Sequence, residues 1–92
     1  METVLVLEDL ETVKRVFRSV LRAKGFKVLE SETIDEALDC QKNYHGPIHL
    51  LIANVMLPGR ASGTQAALEL RERLQDLKIL FCSGTPEEAT HL

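Results

Sequence analysis

Short apolar runs alternate with amphipathic stretches along this chain, and the period of each predicts its structure. Thr3–Leu7 (TVLVL) is a continuous run of strand formers that ends at Glu8 and Asp9. That is the pattern of a strand buried on both faces. Val13, Val16, Phe17, Val20 and Leu21 then recur at helical spacing, with lysine and arginine between them. Gly25 follows, placed where a left-handed residue closes a helix at little cost. Residues 26–30 predict a second strand. Thr33 and Glu36 have the spacing of a capping box opening a helix through Ala37 and Leu38, and residues 44–47 (YHGP) break it. Residues 48–53 predict a third strand, apolar on both faces apart from His49. Pro58 and Gly59 mark a loop. Ser62 and Gln65 form another capping box, before a helix carrying Ala66, Ala67, Leu70 and Leu74. Lys78–Cys82 (KILFC) is the fourth predicted strand.

This rhythm of strands and helices belongs to a parallel sheet with right-handed crossovers. Because the strands are apolar on both faces, helices are expected on both sides of a doubly wound, three-layer α/β sheet. Beyond the fourth strand, Thr85, Pro86 and Glu88 supply an N-cap, a first-turn proline and an acid at the third helical position. Only residues 89–92 follow, too few for a helix to stand alone. The fourth strand thus lacks later elements to cover it, which predicts either a longer parent domain or cover from a partner.

Ninety-two residues allow one domain, near the small end of what buries a self-sufficient core. Tryptophan is absent and aromatics are 4% of the chain, so the core must rest on valine, leucine, isoleucine and alanine. A net charge of -3 with scattered lysine and arginine disfavours direct nucleic-acid binding. No apolar stretch approaches the length of a membrane span, and no basic segment leads into an apolar one at the N-terminus. Cys40 and Cys82 lack metal-type spacing, so a reduced, cytoplasmic pair is expected. His45, His49 and His91 form no ligand set and are expected on the surface or in loops.

In a doubly wound sheet the carboxyl ends of the strands share one edge, where ligands bind. Glu8 and Asp9 follow the first strand, Asn54 begins the segment NVMLPG after the third, and Ser83 follows the fourth. With these residues the chain, over most of its length, resembles the receiver domain of two-component response regulators. In that family an acid pair follows strand one, and a phosphoacceptor aspartate precedes a loop like VMLPG. A serine or threonine follows strand four, and a glycine like Gly63 precedes helix three. The resemblance implies a flavodoxin-like fold with strand order 2-1-3-4-5. Residues 1–92 offer no counterpart to the family's fifth strand, with its terminal lysine, or to its last helix. Strand four is then expected as an exposed edge that recruits partners, pairs with a second copy or exchanges elements with one.

The resemblance also implies a Mg²⁺ site with Glu8, Asp9, Asn54 and the Met56 carbonyl as ligands, and Ser83 as the switch hydroxyl. Asn54 stands at the phosphoacceptor position, and a neutral amide is a poor nucleophile. Loss of one carboxylate should weaken metal binding while relieving like-charge crowding. Each residue also has a plainer reading. Asp9 could cap helix one, Glu8 could be merely solvated, Asn54 could be a turn residue, and Ser83 a polar loop residue. The expected function is a non-enzymatic, degenerate receiver acting as a phosphorylation-independent interaction module. Its expected partners are a histidine kinase, a phosphotransfer domain or an output domain. One alternative is a phosphorylatable receiver in which Asn54 replaces aspartate. Another is a haloacid-dehalogenase-like phosphatase fragment, which Asp9 and Ser83 loosely resemble, although Glu11 stands where that family has a second aspartate.

Overall fold

The computed structural model describes residues 2–54 and 63–82, with side-chain surroundings in the second stretch from residue 67 onward. The elements run β1 (Thr3–Leu7), α1 (Glu11–Ala23), β2 (Lys27–Ser31), α2 (Ile34–Asn43), β3 (Leu50–Asn54), α3 (Gly63–Arg73) and β4 (Lys78–Cys82). All strand pairs are parallel, in the order β2-β1-β3-β4. This is the doubly wound order expected, with β1 in the interior.

Alternation along the strands divides the core between the two faces. Leu5, Leu7, Leu51 and Ala53 point toward α2 and α3, where Ile34, Ala37, Ala67 and Leu70 complete a buried cluster. Val4, Val6, Val28 and Ile52 point the other way, under Phe17 and Leu21 of α1. Val16 and Val20 share the helical period but stay 62% and 48% exposed, so only part of that stripe is core.

Two strands differ from the expected bounds: β2 starts one residue later and β3 two, and each ends one residue later. Gly25 adopts φ +91° and its N–H bonds the Arg22 carbonyl, while the Phe26 N–H bonds the Leu21 carbonyl. This pair of bonds is a Schellman closure. It binds Phe26 into the end of α1, so β2 starts at Lys27. In front of β3, His49 already bonds both neighbours through its backbone, its N–H to the Thr3 carbonyl and its carbonyl to the Lys78 N–H, while its Nδ1 accepts the Thr3 N–H at 3.0 Å. Regular pairing with β1 begins only at Val4 and Leu50. His49, expected on the surface or in a loop, is half-buried in the loop just before β3, while His45 is exposed. His91 lies outside the described residues.

The α2 cap forms as its spacing predicts. Thr33 Oγ1 accepts from the Glu36 N–H at 3.1 Å, and Glu36 reaches back to the N–H of Glu32 at 2.7 Å. The proposed start of α3 at Ser62 lies outside the described residues.

Candidate functional site

Strand register builds the site. Leu7 pairs with Ala53, so the next residue along each strand, Glu8 and Asn54, lie side by side. Both continue the alternation that sends Val6 and Ile52 toward the α1 side, so their side chains share a face. Asn54 Nδ2 donates to Glu8 Oε2 at 2.5 Å. Glu8 is 2% exposed and Asn54 7%. The Glu8 backbone is held from the other flank, where its N–H bonds the Ser31 carbonyl at 3.0 Å. Ser31 in turn donates through Oγ to the Val6 carbonyl.

These contacts overturn two of the plainer readings. Glu8 is a buried carboxylate, not a solvated one. Leu10, not Asp9, occupies the N-cap of α1, with no side-chain cap bond. Asp9 is half-buried in the bend between β1 and α1. Met56 and Ser83, also expected at this rim, lie outside the described residues. So does the Pro58 and Gly59 loop.

One neighbour of the site and two cations on α1 carry no motif. Cys82 pairs with Asn54 in the β3–β4 register. Burial, with the negative field of Glu8 second, pushes its thiol up. Lys14, on the first turns of α1, is 8% exposed and bonds Glu32 at 2.8 Å and Glu11 at 3.2 Å. One turn on, Arg18 grips Glu30 through two bonds of 2.7 and 2.8 Å. The hydrogen bond from Arg18 holds the Glu30 carboxyl below its ordinary value, outweighing the burial that would raise it. These basic groups on α1 are thereby committed to acids at the end of β2 and just beyond it. Only the helical spacing of Glu11, Lys14 and Arg18 hinted at this in the sequence.

The sequence profile of the response regulator receiver domain matches residues 4–92. The chain belongs to the response regulator receiver family. It is 31% identical over 87 residues to the sensor kinase CckA of Brucella abortus (strain 2308), covering 95% of this chain and 9% of that kinase. The chain therefore spans a small part of that relative's length. Among solved structures, the response regulator TrrA of Thermotoga maritima, in complex with Mg²⁺-BeF, superposes with a TM-score of 0.82. The two are 26% identical, over 100% of this chain and 77% of TrrA. The complex of the histidine kinase ThkA with TrrA matches at 28% identity and a TM-score of 0.76, over 91% of this chain and 70% of that one. Family membership leaves the haloacid-dehalogenase-like reading behind.

A receiver implies Mg²⁺, and the residues described here do not fit it. Magnesium takes hard oxygen donors in near-octahedral order. The innermost carboxylate, Glu8, already accepts a hydrogen bond, and its partner offers it an N–H instead of a second anionic oxygen. Among the described residues, no three His, Cys, Asp or Glu side chains gather as a cation site.

Proposed function

We propose that this receiver is degenerate, and works as a phosphorylation-independent interaction and regulatory module in a two-component phosphorelay. The observation that carries the reading is Asn54. It stands at the end of β3, where the resemblance puts the phosphoacceptor, and its amide nitrogen is committed to Glu8. An amide cannot form the acyl phosphate that a carboxylate forms. In this reading Glu8, Asp9, Asn54 and the Met56 carbonyl are the vestige of a metal site that has lost its affinity for Mg²⁺ with the acceptor carboxylate, and Ser83 is a switch hydroxyl without a phosphoryl trigger. The module is not an enzyme and works in the cytoplasm. In support, no helix among the described residues is long and apolar enough to cross a membrane.

The partner class is a histidine kinase, a phosphotransfer domain or an output domain. The ThkA–TrrA complex supports a kinase. A switch needs a ligand that distinguishes its two states, and in this reading the partner fills that role instead of phosphate.

Incubation with a small phosphoryl donor and Mg²⁺, followed by intact-mass measurement, tests the proposal. No phosphoryl adduct is expected; stoichiometric labelling of the unaltered chain refutes it. The undisturbed register around Glu8 favours one further reading, in which a single side chain separates this chain from a phosphorylatable receiver. Labelling of Asn54→Asp alone supports that reading, and an inert variant removes it.

A further inference from the structure

The carboxylate of Glu8 presents a problem that the structure solves without a metal. A buried charge is costly unless it is paired or hydrogen-bonded. Among the described residues, no lysine, arginine or histidine pairs with Glu8. The α1 cations Lys14 and Arg18 are bound to Glu11, Glu30 and Glu32. What Glu8 has is the Asn54 amide, set against it by the β1–β3 register. Among the described residues, no buried side-chain nitrogen or oxygen lacks a hydrogen-bond partner.

We propose that the Asn54–Glu8 bond is a cation-independent latch, in which the amide takes over the cross-strand role that a divalent cation plays among acids. The proposal rests on the reading of Asn54 as the vestigial acceptor position and adds how that position is regulated. A cation entering here would have to break the Asn54 N–H bond to Glu8. In return it would gain a neutral oxygen where an acid would have offered charge. The exchange is unfavourable, so the cleft is held in one arrangement whether or not Mg²⁺ is present.

Asparagine and aspartate are nearly the same shape, which makes the reverse change informative. In Asn54→Asp two buried carboxylates would face each other across the same contact. Like charges at that distance cannot both ionise without compensation by a proton or a cation. The substitution should therefore turn a protein indifferent to Mg²⁺ into one that depends on it.

Thermal unfolding of the unaltered chain and of Asn54→Asp, at pH 7 with EDTA or millimolar MgCl₂, is the test. The unaltered chain should shift by less than about 1 °C between the two buffers, whereas the variant should fall by roughly 5 °C or more in EDTA and recover most of that with Mg²⁺. A saturable rise in the unaltered chain as large as the variant's overturns the latch. So does a variant equally stable in EDTA. Should the variant not fold, the ¹H–¹⁵N signals of the Asn54 side-chain amide decide the question in the unaltered protein. They should hold still through a Mg²⁺ titration, and saturable movement overturns the proposal. The two ideas fail separately. Phosphoryl labelling sinks the degenerate-receiver reading, while Mg²⁺ binding without labelling sinks the latch alone.

Discussion

Asn54 and Glu8 depend on each other unequally. Removing the amide leaves a carboxylate buried without its donor, whereas removing the charge leaves a group that still accepts. Asn54→Ala is therefore expected to lower the unfolding free energy by about 2–3 kcal/mol, and Glu8→Gln by less than about 1 kcal/mol. Urea denaturation of both variants measures the difference, and equal losses would show that the contact is not what holds Glu8. At this scale the sequence was partly legible. Glu8 and Asn54 could be placed at one rim because strand ends meet there in any doubly wound sheet. Their direct contact needed the register, which apolar runs do not specify to the residue. Lys14 and the His49 bond to Thr3 were not legible. Their partners lie 18 and 46 positions away in sequence.

Helix α1 is fastened to β2 by charge as well as by packing. Its apolar seam is narrow, Phe17 and Leu21, and beside it Arg18 holds Glu30 while Lys14 holds Glu32. Because Glu30 is held below its ordinary value of 4.5, the folded protein takes up that proton less readily than the unfolded chain. Its contribution is complete above the unfolded value and is lost as pH falls through the lower folded one. Denaturant midpoints should decline as pH drops below about 4.5, with a shallower decline for Glu30→Gln; unchanged slopes would mean the pair contributes nothing. The elements themselves were readable from periodicity. β1 and β4 have the expected limits, while β2 begins later because a helix cap claims the Phe26 N–H, and β3 begins at Leu50 although His49 already bonds Thr3 through both its backbone and its side chain. Such competition for donors leaves no mark on a hydrophobic pattern.

Across the whole molecule, cover is uneven. Among the described residues, two helices pack against one face of the sheet and α1 against the other, where Leu80 of β4 is 53% exposed. The strand order also fixes how the sheet should loosen. Among the described residues, β1 is hydrogen-bonded to a strand on each flank, as is β3, whereas β2 and β4 are bonded on one flank. Local openings release the least supported backbone first. Deuterium uptake should therefore begin at β4, reach β2 next and arrive at Val4, Leu5 and Val6 last. The acid at the tip of β1 thus stands on the slowest-opening segment of the fold, and its amide partner on the next strand in. Opening of β4 bares the Asn54 flank of that pair first, through its register with Cys82, while the Glu8 flank stays covered until β1 and β2 part.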